Sequence, residues 1–160
     1  MGGGAGEGRA KAYALVLDQL RALLEGCPGP VAAMASMAAL LKDTFDHFSW
    51  VGFYLPAADG ALVVGPYQGP LACIRLAPGK GVCGAAALSR RTVLVPDVHA
   101  FPGHIACDTR SRSEIVVPVL SGDRLVAVLD VDSHLPDAFT PADQHGLEQV
   151  ARCLSRSLTS

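Results

Sequence analysis

The chain begins with two stretches in which apolar residues recur at helical spacing. The first is AKAYALVLDQLRALLEG, residues 10–26, which closes at Gly26, a residue type that commonly ends helices. The second is GPVAAMASMAALLKDTF, residues 29–45, with Pro30 near a first helical turn. The pattern therefore predicts two helices ahead of Phe45.

After Phe45 the pattern changes to short apolar runs bounded by turn residues, which is typical of strands. The runs WVGFYLP and ALVVGPYQG are joined by AADG, whose Asp59-Gly60 pair is a strong hairpin signal. The runs EIVVPVL and RLVAVLDVDS are joined around Ser121–Asp123 in the same way. We therefore predict two antiparallel hairpins.

Shorter elements lie between the hairpins, and a helix follows them. CIRL and TVLVPD are strand-like, and the alanine-rich stretch after the turn at residues 78–81 predicts a short helix ending near Arg90. The last helix is TPADQHGLEQVARCLSRSL, with Thr140 as its N-cap, Pro141 in its first turn and Asp143 at the positive end of the helix dipole.

This order of elements predicts an α+β fold with a central, largely antiparallel sheet. Helices pack on one face of the sheet, and the other face is left for a pocket roofed by the middle segment between Gly65 and Ser113. We find no internal repeat and no linker, so residues 9–158 are expected to form one domain. The glycine-rich residues 1–8 are expected to be a flexible leader.

Composition and charge narrow the functional classes. Half of the 160 residues are hydrophobic and 18% are charged, which excludes a disordered chain, and a net charge of −2 without a basic stripe argues against nucleic-acid binding. The longest apolar run is much shorter than the ~20 residues that span a bilayer. We expect a cytoplasmic protein without membrane contact, and in that reducing compartment the five cysteines are not a disulfide framework.

The five cysteines fall into two groups. Cys27 and Cys153 lie at a helix junction and inside a helix, where free cysteines usually pack as small hydrophobes. Cys73, Cys83 and Cys107 all lie in the irregular middle segment, and Cys107 stands in a polar loop where a packing residue is out of place.

Two kinds of chemistry suit the loop around Cys107. A zinc site could use His99, His104 and Cys107, but the chain has no Cys-x-x-Cys pair and no structural zinc spacing, so we expect no metal. Thiol–disulfide chemistry is favoured instead, since His104, Arg110 and Arg112 supply positive charge that favours a thiolate. Asp108 acts in the opposite direction.

Carboxylates and aromatic residues supply candidates for the rest of the pocket. Asp130 and Asp132 lie two residues apart on one strand, hence on one face, and Glu114 begins the neighbouring strand. Clustered carboxylates in a dry pocket raise one another's pKa, so that one can stay protonated. Trp50 and Tyr54 also share a face, as part of the core or as an aromatic wall for a ligand.

Four stretches together resemble one known family. They are WVGFYL, YQGPLACIRLAPGKGVCGAA, VPDVHAFPGHIACDTRSRSEIVVPV and LVAVLDVDS, and they are similar to the free methionine-(R)-sulfoxide reductases, which have a GAF-type fold. The resemblance runs from the second helix to the last. It implies a single GAF-like domain that reduces free L-methionine-(R)-sulfoxide without a bound cofactor and is recycled by thioredoxin, itself supplied by thioredoxin reductase and NADPH.

The resemblance also implies roles for individual residues. Cys107 would attack the sulfoxide sulfur and become a sulfenic acid, and Cys73, with Cys83 as secondary or alternative partner, would resolve it to a disulfide. Glu114 would be the acid that protonates the sulfoxide oxygen. The resemblance also implies that Asp130 and Asp132 bind the polar groups of the substrate. It implies that Trp50 and Tyr54 enclose the S-methyl group.

Three points stay open on the sequence. Either Cys73 or Cys83 can reach Cys107 if the loop moves, and a homodimer is compatible with the chain but not predicted by any pattern. A GAF-type sensor of small molecules without enzymatic activity, and a redox switch that oxidises at Cys107 without turnover, are the alternatives to a reductase.

Overall fold

A six-stranded antiparallel sheet organises the protein. The computed structural model describes residues 3–159, and its strands follow the spatial order β3-β2-β1-β6-β5-β4, with every neighbouring pair antiparallel. In chain order they are β1 (Trp50–Pro56), β2 (Leu62–Gln68), β3 (Arg75–Leu76), β4 (Val93–Val95), β5 (Ser113–Ser121) and β6 (Arg124–Ser133). The two long hairpins supply the four central strands, as predicted.

Three long helices cover one face of this sheet. They are α1 (Gly3–Leu24), α2 (Pro30–Thr44) and α4 (Pro141–Thr159). Their apolar sides meet alternate residues of the central strands, among them Phe53, Ile115 and Leu129, in one buried core. The predicted α+β fold with helices on one face is confirmed for these three helices.

The short helix α3 (Gly81–Ser89) lies on the opposite face. There Val82, Cys83 and Ala86 pack with Trp50 and other side chains of the second face in a separate, smaller core. This helix belongs to the middle segment that the sequence predicts as the roof of the second face. Because α3 follows the edge strand β3 within this segment, its apolar side meets that face.

Residues of the central strands alternate between the two cores. In β1, Val51 and Phe53 point to the three helices, whereas Trp50 and Tyr54 point to the second face. Because both faces are covered, β5 and β6 read as nearly continuous apolar runs in the sequence. The few polar residues that interrupt these runs are therefore placed in the interior.

The first hairpin closes as its sequence predicts. Gly60 has a φ of +87°, a conformation that glycine adopts without strain, and the Asp59 carboxylate accepts a hydrogen bond of 3.0 Å from the backbone N–H of Ala61. This turn fixes the register in which Tyr54 pairs with Val64.

The N-terminal boundary differs from the prediction. Residues 3–8, expected in a flexible leader, form the first turns of α1, and Gly4, Gly6 and Gly8 have no neighbouring side chain within 4 Å of a Cβ position. These turns continue the hydrogen-bonding pattern of the helix that Arg9 and Tyr13 anchor against α4. Residues 1 and 2 of the expected leader lie outside the described residues.

No helix within residues 3–159 is long and apolar enough to cross a membrane.

Candidate active site

A small cavity of about 50 Å³ lies on the second face of the sheet, beneath the middle segment. A cavity of this size holds a few water molecules. Its lining contains seven of the eight residues singled out from the sequence, and the eighth, Cys73, is joined to one of them by a disulfide bond. These lining residues are Trp50, Tyr54, Cys83, Cys107, Glu114, Asp130 and Asp132.

The strand register brings the three acidic residues together. Glu114 of β5 pairs with Asp132 of β6, and Asp132 pairs on its other side with Trp50 of β1. Asp130, two residues earlier on β6, lies on the same face. The sheet therefore places the three carboxyl groups and the indole ring in one patch of the cavity floor.

The three carboxyl groups are poorly solvated and have no strong counter-ion. Glu114 and Asp130 are buried and Asp132 is half-buried, and within the described residues no lysine or arginine forms an ion pair with any of them. Burial, followed by repulsion from a neighbouring carboxylate, holds the pKa of each group well above its usual range. The patch can therefore hold protons at neutral pH.

His104 is the basic side chain beside this patch. Its Nε2 lies 3.7 Å from Oε1 of Glu114, and burial lowers the pKa of His104 below its usual value. A neutral imidazole at this distance offers a polar contact but does not neutralise the carboxyl groups.

Asp130 has one oxygen without a partner. Its Oδ1 is buried and receives no hydrogen bond. Since a buried acceptor of this kind costs stability, the atom marks a position for a donor or a cation from a ligand.

The structure separates the roles of the three cysteines in this region. Cys73 and Cys107, 34 residues apart, form a disulfide with their Cα atoms 5.5 Å apart. Cys83 is buried and free, and burial, followed by the charges of Asp130 and Glu114, raises the pKa of its thiol. Cys83 is therefore held as a thiol in the cavity floor, whereas Cys107 is exposed in its loop and Cys73 is half-buried.

The remaining two cysteines are packing residues, as predicted. Cys27 and Cys153 are half-buried against the helix-covered core, away from the cavity.

The charges near Cys107 differ from the sequence prediction. The Arg110 guanidinium, expected to favour a thiolate, donates instead to Asp108 over 3.0 Å, and His134 lies 2.9 Å from the same carboxylate. Although partial burial acts to raise it, hydrogen bonds from the Arg110 backbone and from these two side chains hold the pKa of Asp108 at about 2. Asp108 and Arg110 thus compensate each other, which residue spacing alone does not reveal.

The two aromatic residues form a wall and also hold the loop that carries Cys73. Trp50 stacks with Tyr54 at 6.0 Å and with Tyr67 at 5.1 Å between ring centroids. The Trp50 indole donates to the Pro70 carbonyl over 3.1 Å, and the Tyr54 hydroxyl donates to the Cys73 carbonyl over 2.9 Å. These two hydrogen bonds therefore tie the aromatic wall to the loop that carries the disulfide.

Gly52 explains how the aromatic rings come so close. A Cβ atom at this position would lie 2.5 Å from Cη2 of the Trp50 ring and would also collide with the side chain of Tyr67. Only glycine fits between the stacked rings, a requirement the sequence did not disclose.

Several lining residues were not singled out from the sequence. The start of α3 contributes Gly81 and Val82, whose backbone N–H groups stand at the end of a helix where no intrahelical partner exists. The Pro-Gly-Lys-Gly turn before an alanine-rich helix was a usable signal for this helix start. The other lining residues not singled out as site residues are Leu71, Ala72, Leu76, His104, Ile105, Asp108 and Ser111.

One group of side chains could hold a metal ion. Ligand atoms of Cys83, Glu114 and Asp130 lie within 4.8 Å of one another. The set considered from the sequence, His99, His104 and Cys107, is not among the metal-ligand groups found in the described part of the chain.

Comparisons with known proteins match this chain over most of its length. A GAF domain model covers residues 29–158. The free methionine-R-sulfoxide reductase of Escherichia coli is 40% identical over 148 residues, which cover 92% of this chain and 89% of that protein. The free methionine-R-sulfoxide reductase of Saccharomyces cerevisiae is 44% identical over 153 residues, with coverages of 89% and 85%. The X-ray structure of the Neisseria meningitidis free methionine-R-sulfoxide reductase in complex with its substrate aligns with a TM-score of 0.90 and 44% identity, covering 94% of this chain and 90% of that one.

Proposed function

The chain belongs to the GAF-domain family of free methionine-R-sulfoxide reductases, and from that premise we propose how its own residues carry out the reaction. The protein reduces free L-methionine-(R)-sulfoxide to L-methionine in a thiol-dependent reaction.

Cys107 is the nucleophile. Its thiolate attacks the sulfoxide sulfur, the S–O bond breaks, and the oxygen ends on Cys107 as a sulfenic acid while methionine leaves as a thioether. The exposure of Cys107 at the edge of the cavity supports this role, because a nucleophile must reach an incoming substrate.

Glu114 supplies the proton that the sulfoxide oxygen requires. A carboxyl group whose pKa is raised by burial and by Asp132 keeps its proton to higher pH than an ordinary glutamate and can donate it to the oxygen as the S–O bond weakens. His104, beside Glu114, is the neighbour through which that proton is replaced.

Asp130 and Asp132 hold the substrate ammonium group. The unpartnered Oδ1 of Asp130 is an acceptor waiting for such a donor, and a cation in this patch removes the repulsion among the carboxyl groups. The substrate carboxylate then faces the N–H groups at the start of α3, where the helix dipole favours negative charge.

Trp50 and Tyr54 enclose the S-methyl end of the substrate. Their stacked rings form an apolar wall of the cavity. A thioether product is apolar at the same position, so this wall accepts both substrate and product.

Cys73 resolves the sulfenic acid. Its thiol attacks the Cys107 sulfur, the disulfide forms, and the oxygen leaves as water with the protons of the two groups. The observed disulfide supports Cys73 over Cys83, whose buried, high-pKa thiol is a poor nucleophile and serves as a secondary partner.

A protein dithiol of the thioredoxin type, kept reduced by thioredoxin reductase and NADPH, recycles the enzyme. Leu71 and Ile74, 85% and 74% exposed, flank Cys73 and give a protein reductant an apolar surface beside the disulfide. We assign this cycle to the cytoplasm, where such reductants maintain thiols. A homodimer is compatible with this cycle and is not required by it.

The disulfide at the edge of a cavity floored by three carboxyl groups carries this proposal, and a single-turnover measurement tests it. Pre-reduced protein mixed with free L-methionine-(R)-sulfoxide, without reductant, is expected to release about one methionine per chain. The (S) epimer and a peptide-bound sulfoxide are expected to release none. Cys107→Ser abolishes release, whereas Cys153→Ser, a substitution away from the cavity, leaves it unchanged.

The same experiment separates the other two cysteines. Cys73→Ser still releases one methionine but leaves a sulfenic acid that a 1,3-diketone nucleophile of the dimedone type can trap, whereas Cys83→Ser still forms the disulfide. Release of no methionine from any substrate contradicts the assigned chemistry, and disulfide formation in Cys73→Ser but not in Cys83→Ser contradicts the assigned partner.

A further inference from the structure

The cavity floor combines a buried thiol with two buried carboxyl groups. Cys83 of α3, Glu114 of β5 and Asp130 of β6 come from three different elements and are 3%, 6% and 6% exposed. Their ligand atoms all lie within 4.8 Å of one another. Three potential ligands therefore surround one small, nearly dry volume.

An independent observation points to a ligand at this position. Oδ1 of Asp130 is buried without any hydrogen-bond donor. Buried acceptors are nearly always paired, so an orphaned one indicates a missing donor or cation.

The chemistry of the three side chains selects the cation. A thiolate excludes Mg²⁺ and Ca²⁺, which take oxygen ligands in larger numbers, and favours zinc-class ions, which accept sulfur and carboxylate oxygen together. In a tetrahedral zinc site the ligand atoms lie about 3.3–3.8 Å apart, as follows from metal–ligand distances of about 2.0–2.3 Å. The three ligand atoms, all within 4.8 Å of one another, must move closer to reach that spacing when a metal ion binds.

We propose that Cys83, Glu114 and Asp130 bind one zinc-class divalent cation, which occupies the floor of the cavity in place of the substrate. The thiol proton of Cys83 leaves to solvent as its sulfur binds the metal, and the fourth position is filled by water. A zinc-class ion bound there excludes the substrate from the cavity, which is a property separate from sulfoxide reduction.

The disulfide makes the site testable in isolation. Reduced protein also presents Cys73 and Cys107, whose proximity makes them a competing dithiol for soft metals. In the disulfide form Cys83 is the free cysteine of the cavity, while Cys27 and Cys153 lie elsewhere. Metal binding to the oxidised protein therefore reports on Cys83 and its two neighbours.

The experiment is a titration of metal-free, oxidised protein with Co²⁺ followed by displacement with Zn²⁺. We expect one Co²⁺ per chain, a thiolate-to-cobalt charge-transfer band in the near ultraviolet, and loss of the band on addition of Zn²⁺. Cys83→Ser removes the band, Asp130→Asn weakens binding by about tenfold or more while keeping the band, and Cys153→Ser changes neither.

Circular dichroism and thermal unfolding of each variant show that the comparison is made between folded proteins. The absence of a charge-transfer band in the wild type, or its persistence in Cys83→Ser, overturns the proposal. Because the assay contains no sulfoxide and no turnover, its outcome is independent of the assigned reductase chemistry.

Discussion

Buried acidic side chains lie on both faces of the sheet, and the groups of side chains around them are electrostatic opposites. On the helix-covered face, Asp143 is 0% exposed and accepts hydrogen bonds from Arg9 and Tyr13, each over 2.8 Å, while His47 lies 3.2 Å away. On the cavity face, Glu114, Asp130 and Asp132 have one another and a histidine whose pKa is lowered. One group is neutralised by the protein, and the other is left for a ligand.

The pKa shifts record this difference. Burial acts to raise the pKa of Asp143, but hydrogen bonds from His47, the Thr140 backbone and Tyr13 outweigh it and leave the pKa lowered. For Glu114 and Asp130, burial and repulsion act together and the pKa is raised. The same side-chain chemistry therefore stabilises the fold on one face and costs stability on the other, where we propose that it serves the reaction.

Replacing the proposed acid should have the largest effect and should appear in activity alone. Glu114→Gln removes the proton that the sulfoxide oxygen receives, so we expect kcat to fall by about 10²–10⁴-fold. The free energy of unfolding should stay at or above the wild-type value, because a repelling carboxyl group is gone. Steady-state kinetics with free methionine sulfoxide measure the change in kcat. Glu25→Gln, which makes the same substitution on the exposed surface, is the control. Retention of wild-type kcat would remove Glu114 from the mechanism.

Replacing the paired acid should do the reverse. Asp143→Asn leaves Arg9 without its counter-ion, and we expect the free energy of unfolding to fall by about 2–3 kcal/mol. This is less than the 3–5 kcal/mol typical of a fully buried pair, because Arg9 keeps partial contact with water. Urea unfolding measures the loss, and kcat per folded molecule should not change.

The matched control is the exposed pair Asp18–Arg21, 3.4 Å apart on α1. Asp18→Asn should change the free energy of unfolding by well under ~1 kcal/mol, as is usual for surface pairs. Equal losses in the two variants would show that burial does not distinguish them.

A smaller, opposite effect is expected at Asp130. Asp130→Asn removes one of the repelling groups and provides a donor in the cavity floor, so we expect the melting temperature to rise by about 2–4 °C, equivalent to about 1 kcal/mol. Differential scanning calorimetry at pH 7 measures the rise, and activity should fall at the same time. A lower melting temperature would mean that Asp130 is paired in solution.

The smallest expected effect is in the pH dependence of these differences. The pKa of Asp143 is lowered, so its contribution is present above the unfolded value of about 3.9 and is lost as the pH falls through the folded value. The pKa of Asp130 is raised in the folded state. The contribution of Asp130 to the free energy of unfolding is therefore fully present below about pH 3.9, the unfolded pKa, and is lost as the pH rises towards the folded pKa. The deficit of Asp143→Asn should therefore shrink below pH 4, whereas the gain of Asp130→Asn should grow from pH 4 to 7. Urea unfolding across this range tests both signs.

Much of the fold was readable from short-range patterns. The run WVGFYLP is β1 from Trp50 to Pro56, and Pro30 begins α2, because apolar periodicity and turn residues act over a few positions. The alternation along β6 placed Asp130 and Asp132 on one face before any pairing was known. The start of α1 was less readable, because glycine-rich residues carry no periodicity.

Part of the site was out of reach of such patterns. The resemblance implied Cys73 as the partner of Cys107 with Cys83 as the alternative, but residue spacing left both open, and only the path of the chain brings Cys73 to Cys107 across 34 residues. Arg110 was expected to favour a thiolate at Cys107, but its guanidinium donates to Asp108 two residues away. The side-chain rotamer of Arg110 decides which of the two neighbours it meets, and residue spacing does not fix that rotamer.

The sequence by itself determined the elements, the face on which each strand residue lies, and the set of residue types available for chemistry. Tertiary structure alone decided which of the buried acidic side chains is neutralised. Asp143 was visible only as a favourable residue at a helix start, and its partner Arg9 lies 134 positions away. Whether a buried carboxyl group is stabilised or destabilised depends on the charges within a few ångströms, and long-range packing sets those distances.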